Sequence, residues 1–139
     1  MVTVQQVFDS AIHLMDEQSE STGQTVTQDT NEYKYRTISI LNTLMPSLYP
    51  YSDTCDHSAP GRPVCPVLVA ASYDFTQTVP LDDGLALGVL PYALAGHLLA
   101  AENESLSIWF LSRFNQVFAD IRSKVPAAFE SIPTPYGLF

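Results

Sequence analysis

Leu81-Asp82-Asp83-Gly84-Leu85-Ala86-Leu87-Gly88-Val89-Leu90-Pro91-Tyr92-Ala93-Leu94-Ala95-Gly96-His97-Leu98-Leu99-Ala100-Ala101 is the stretch that decides the fold. Asp82 has the character of a helix N-cap, with a second acid beside it to oppose the positive end of the helix dipole. Leu85, Leu87, Val89, Leu90, Ala93, Leu94, Leu98 and Leu99 then fall on every face of a helix. A helix apolar all round lies either at the centre of a protein or in a membrane. Gly84 to Ala101 sits at the lower edge of spanning length. Pro91, His97, the small residues and the acidic flanks Asp82, Asp83, Glu102 and Glu104, with no basic anchor, argue against a span. The stretch therefore predicts a central helix around which a mainly helical domain packs.

N-terminal to it, Tyr49 to Pro80 holds five of the ten prolines: Pro50, Pro60, Pro63, Pro66 and Pro80. Such density forbids a helix and favours extended, turn-rich backbone. Val67-Leu68-Val69 and Tyr73 to Val79 have the composition of short strands, so 49–80 reads as a proline-rich insertion or small β-hairpin. Further back, Asp29-Thr30-Asn31-Glu32 opens a second helix with Lys34, Thr37, Ile38, Leu41, Leu44, Met45 and Leu48 on one face. It is expected to end or kink at Pro46. Residues 18–28 make a flexible polar loop. The first helix starts at Thr3-Val4-Gln5-Gln6, which has capping-box spacing. It continues through Val4, Val7, Phe8, Ala11, Ile12 and Met15 to about Glu17.

C-terminal to the central stretch, Asn103 or Ser105 caps a last helix. Leu106, Trp109, Phe110, Phe114, Val117, Phe118, Ile121 and Val125 form its apolar stripe, and Arg122 and Lys124 suit its final carbonyls. Pro126 stops it. The tail, 126–139, keeps Phe129, Ile132, Tyr136, Leu138 and Phe139, and large apolar groups are seldom left in water. The expected fold is one domain, 1–139, mainly α: a compact bundle of about four helices with the proline-rich loop or hairpin between helices 2 and 3. The tail packs either on its own domain or on a neighbour. Tyr136, Leu138 and Phe139, with Tyr49 and Tyr51, are the candidate subunit-interface residues.

The chain has 139 residues, 46% of them hydrophobic, which suffices for one core without disulfide or metal. Fifteen acids face six bases, a formal charge of -9. The bases Lys34, Arg36, Arg62, Arg113, Arg122 and Lys124 are scattered, which disfavours sequence-specific nucleic-acid binding. Acidity serves solubility, and it also suits a path along which DNA slides without sticking. Met1 to Met15 lacks the basic start of a signal peptide, so Cys55 and Cys65 are expected to be reduced when the protein is made. Cys55-Asp56-His57 with Cys65 lacks the second close ligand pair that zinc prefers. A loop disulfide or two plain thiols are the other readings. His13 and His97 read as core or interface histidines. Asp82-Asp83 is explained by capping, since adjacent residues do not converge on one substrate atom. No phosphate-binding glycine loop or nucleophile elbow is present, and no catalytic, metal or cofactor residue is assigned.

The order of these elements resembles one family. A helix bearing Glu32-Tyr33-Lys34-Tyr35-Arg36-Thr37 and Ile40-Leu41-Asn42 leads to Leu48-Tyr49-Pro50-Tyr51-Ser52-Asp53. Leu81-Asp82-Asp83, Val89-Leu90-Pro91-Tyr92-Ala93-Leu94-Ala95-Gly96-His97-Leu98-Leu99 and Phe114-Asn115-Gln116 follow. Together they resemble the small head–tail connector, or adaptor, proteins of tailed bacteriophages and prophages. The likeness covers most of the chain. It departs from the pattern in Val117-Phe118, in the proline-rich middle and in the Cys55–Cys65 loop. The resemblance implies a helical core and a non-enzymatic virion protein made in the bacterial cytoplasm. It also implies a homo-oligomeric ring between the portal and a tail or stopper protein, lining the DNA channel. The alternative is an acidic module that binds a host or regulatory protein, and a membrane-associated protein using Gly84 to Ala101 ranks third.

Overall fold

The central apolar run folds as two helices rather than one. The computed structural model describes residues 1–16, 20–25, 30–55, 61, 63–71 and 73–124. They form α1 (Val4–Met15), α2 (Asn31–Leu48), a 3-10 turn (Tyr49–Tyr51), α3 (Asp83–Gly88), α4 (Leu90–Leu98) and α5 (Glu104–Lys124). The fold is a mainly helical bundle, and the expected four helices are recovered when α3 and α4 are counted as halves of one broken segment. Asp82 caps α3 as its sequence suggests, accepting from the Leu85 N–H at 2.8 Å. The break is at Val89, whose φ of -120° and ψ of -49° leave the helical region. Pro91 causes it: its ring has no N–H and collides with the preceding turn, yet it fits the first turn of a new helix. The expectation of one helix buried on every face is therefore corrected. The break turns Leu87 outward, 44% exposed.

Helix α4 is the centre of the molecule. Leu90, Leu94 and Leu98 are fully buried, and only Tyr92 and His97 reach the surface. It packs against α5, α1 and α2. Burying each leucine stabilises the fold by roughly 1.5–3 kcal/mol. The C-terminal carbonyls of a helix have no partner within it. Here the Ser107 hydroxyl donates to the Gly96 carbonyl at 2.7 Å, and Arg36 donates to that of Leu98 at 3.3 Å. The Tyr33 hydroxyl donates to Glu102 in the turn that follows. These bonds tie α2 and α5 to the end of α4. Gly96 is also where α5 comes closest, because a Cβ there would lie 2.7 Å from Leu111 Cγ.

Helix α1 carries the expected capping box. Gln6 N–H donates to Thr3 Oγ1 at 3.3 Å, and Thr3 N–H to Gln6 Oε1 at 2.9 Å. Its buried face is Val4, Val7, Phe8, Ala11, Ile12 and Met15, and Asp16 ends it in a left-handed conformation at φ 59°. Its first N–H groups are taken from outside: Val4 donates to the Gln77 carbonyl and Gln5 to that of Phe75, each at 2.9 Å. Helix α2 buries Tyr33, Thr37, Ile38, Leu41, Met45 and Leu48. It does not stop at Pro46, which is exposed, so its ring meets solvent rather than core. The Tyr49 N–H closes on the Met45 carbonyl beyond it, so the proline costs one hydrogen bond and not the helix. Thr30 stands at the N-cap, where its hydroxyl donates back to the Thr25 carbonyl at 2.7 Å rather than capping the helix.

Of the two expected forms, loop or hairpin, the segment from 63 to 80 takes the first among its described residues. The isolated antiparallel bridge Thr3–Thr78 is its one ladder contact there. Side-chain amides replace a partner strand. Asn42 donates to the Leu68 carbonyl at 3.0 Å and accepts from its N–H at 2.9 Å. Gln77 does the same for Val69, donating at 2.8 Å and accepting at 2.7 Å. Consecutive residues held from opposite sides are what extended backbone presents. Asn42→Ala removes both bonds to Leu68 and is expected to cost about 1–2 kcal/mol in a urea titration, with faster amide exchange at Leu68. Unchanged exchange there would show that the clamp holds nothing.

Candidate interaction surface

Of the five residues expected at an interface, Tyr49 and Tyr51 lie in the 3-10 turn, half-buried against the core. Tyr51 meets Phe118 of α5 edge to face, with centroids 5.4 Å apart and planes at 79°. Both rings thus help seat α5 on the turn after α2. Tyr136, Leu138 and Phe139, with the rest of the tail, lie outside the described residues. The proline-rich insertion is described only in part.

The exposed apolar surface lies elsewhere. Ile108 and Trp109 on α5 are each 56% exposed, whereas Phe110 beside them is 2% exposed. Trp109 was expected on the buried stripe; the observed packing turns it outward because α4 covers only the Phe110 side. Residues 108, 109, 112, 113 and 116 recur at one helical face. Trp109, Ser112, Arg113 and Gln116 wall a cleft of about 490 Å³ with Tyr92 of α4. Trp, Tyr and Arg are the residues enriched where protein interfaces concentrate their binding energy. Sequence periodicity could not separate Trp109 from Phe110, because neighbouring positions share the edge of a broad stripe. A second exposed group, Val64, Val67 and Val69, lies on the clamped extended segment.

The cations are placed in a consistent way. Lys34 stands 5.6 Å from the Phe75 ring, Arg36 5.6 Å from Tyr33, Arg113 5.9 Å from Tyr92 and Arg122 5.3 Å from Phe118. These four cationic side chains each cover an aromatic face, a contact worth about 0.5–1 kcal/mol at exposed sites. Glu32 also approaches Arg36, at 3.7 Å. These four positive groups are dispersed and engaged, and no cluster for phosphates forms among them.

The other candidates resolve as follows. His13 and His97 are both exposed, so neither is a core histidine. Each falls at the rim of its helix's buried face. His13 borders an open cleft with Gln5, Asp9 and Thr25, and Asp9 there accepts from Gln5 at 2.7 Å and Thr25 at 2.5 Å. Among the described residues no three His, Cys, Asp or Glu side chains converge as metal ligands, and His57 and Asp56 lie outside them. Also among the described residues, no helix is long and apolar enough to cross a membrane. Cys55 is buried and Cys65 half-buried. Burial, and then the neighbouring Cys55, push the Cys65 thiol above its ordinary value. At pH 8 Cys65 therefore carries less thiolate, and iodoacetamide is expected to alkylate it several-fold more slowly than an unfolded cysteine. Equal rates in native buffer and in urea would contradict this.

No known protein family, no curated protein and no solved structure matches the chain.

Proposed function

We propose that this chain is a structural subunit of the head–tail connector of a tailed bacteriophage. In this reading it assembles as a ring between the portal and a tail or stopper protein, lines the DNA channel and performs no catalysis. The order of motifs from Glu32 to Gln116 supports the family. The structural observation that carries it furthest is the outward face of Ile108, Trp109 and Arg113, an anchor for another protein. A formal charge of -9, with Lys34, Arg36, Arg113 and Arg122 each folded over a ring, suits a channel wall that must not hold phosphates.

Affinity capture from infected or induced bacteria tests the proposal. The expected catch is portal and tail proteins, reduced about tenfold or more by Trp109→Asp, in line with the loss of one anchor residue. Recovery of a host or regulatory protein without virion proteins would favour the acidic binding module instead.

A further inference from the structure

Two apolar surfaces stand out on a chain that carries a formal charge of -9. One projects: Ile108 and Trp109 stand out from α5, each 56% exposed, on a face continued by Ser112, Arg113 and Gln116. The other is a cleft of about 380 Å³ with Met1, Pro66 and Val67 to one side, Thr78 and Pro80 to the other, and Leu68 within it. Leu68 is buried, whereas Val67 at the rim is 77% exposed. Both walls are held in place. Asn42 and Gln77 fix Leu68 and Val69 from their side chains. On the opposite wall the Val79 N–H donates to the Val2 carbonyl at 2.8 Å. A cleft fixed in this way takes a side chain with little ordering cost.

We propose that Trp109 of one copy of this chain inserts into the cleft between Val67 and Pro80 of a second copy, so that copies join head to tail. Shape supports it. An indole is a large, rigid ring with few torsions to immobilise, and tryptophan is enriched among the anchors of protein interfaces. Charge selects the occupant. Two copies at -9 each repel, so their contact has to use surfaces free of acids. Neither the residues that line the cleft nor the face of Ile108, Trp109, Ser112, Arg113 and Gln116 include an aspartate or glutamate. Trp109 and Val67 are both exposed within one chain, so neither covers the other there. Because the two surfaces differ, the contact is heterologous: every pair keeps one tryptophan and one cleft open for further copies. One anchor in one cleft buries far less than the roughly 800 Å² per partner of a stable complex. Association is therefore expected only at high concentration, or where a template holds copies side by side. The inference names the subunit contact of the ring proposed above and in that role rests on the connector reading. Head-to-tail association itself is a property of the chain alone.

Sedimentation equilibrium of the full-length chain at several hundred micromolar tests it. The native chain is expected to exceed twice the 15.3 kDa of a single copy. Trp109→Asp and Val67→Asp, each at an exposed site, are expected to weaken association about tenfold or more. Mixed in equal amounts they should associate again but stop at the pair. The Val67→Asp copy still offers its tryptophan, and the Trp109→Asp copy still offers its cleft. Trp109 is the one tryptophan of the sequence, so emission from the mixture comes from the Val67→Asp copy and should shift to shorter wavelength as the indole leaves water. Three results would each overturn the proposal: a native chain that stays single at this concentration, either variant associating as the native chain does, or variants with native melting temperatures that stay single when mixed. Portal capture decides the connector reading separately. Capture of portal by a chain that does not self-associate keeps that reading and removes this contact; self-association without capture does the reverse.

Discussion

Leu94→Ala is expected to lower the unfolding free energy by about 3–5 kcal/mol, the range for a large side chain removed from a site that cannot collapse. Leu94 is fully buried on α4, and α1, α2 and α5 all pack on that helix. Each of these neighbours is fixed by its own core residues, so the space left behind stays open. For a domain of this size the melting temperature should fall by about 10–15 °C. Leu87→Ala, two residues before the break in the same apolar run, is expected to change stability by less than about 0.5 kcal/mol. Urea titration of the two variants side by side checks both values. Equal losses would mean that α3 and α4 form one evenly buried helix after all.

The second large effect belongs to Gly96. A Cβ at this position would stand 2.7 Å from Leu111 Cγ, 2.8 Å from its Cδ2 and 3.3 Å from the Ser107 carbonyl oxygen. Gly96→Val therefore forces α5 away from α4. The separation also strains the Ser107 hydrogen bond that satisfies the Gly96 carbonyl. The expected cost is about 2–3 kcal/mol or more, the range for overpacking a close contact. Gly96→Ala is milder, because helix propensity returns up to about 1 kcal/mol. Combining Gly96→Ala with Leu111→Ala should reveal coupling of about 1 kcal/mol or more, since the truncated side chain no longer blocks the new methyl. Strict additivity in that cycle would mean that the two residues do not touch.

The parts of the fold legible in the sequence are those fixed by local rules. The capping box at Thr3 and Gln6, the six buried residues of α1 and the Asp82 cap depend on spacing alone, and the structure has all of them. The last helix is capped by Asn103, whose side chain accepts from the Leu106 N–H at 3.1 Å. What escaped were choices made by tertiary contacts. Pro46 and Pro91 are the same residue type within helical patterns, yet α2 runs through Pro46 while the central run breaks just before Pro91. Pro46 lies on an exposed face; Pro91 is buried, and a restart there lets α4 turn its leucines inward. Strand composition at 67–69 was visible, but its partners are the distant side chains Asn42 and Gln77, which no periodicity announces. Of the interface candidates, Tyr49 and Tyr51 lie half-buried against the core. Trp109 was assigned to the stripe because apolar spacing cannot tell which edge of a wide stripe the neighbouring helix covers.

The two exposed apolar groups, the Trp109 face and the Val64–Val69 ribbon, give the chain two different surfaces to offer. The first is built from rigid side chains on helices and suits a partner that arrives from outside. The second is extended backbone held by the side-chain amides of Asn42 and Gln77.

The most direct test is the mass of the purified protein by light scattering, alone and then mixed with the cognate portal protein. The expected result is a species near the 15.3 kDa of a single chain at low micromolar concentration. With portal added, the protein should move into a discrete complex that carries a ring of subunits. A single chain of unchanged mass in both conditions would contradict the connector assignment and leave a small helical binding domain with a different partner.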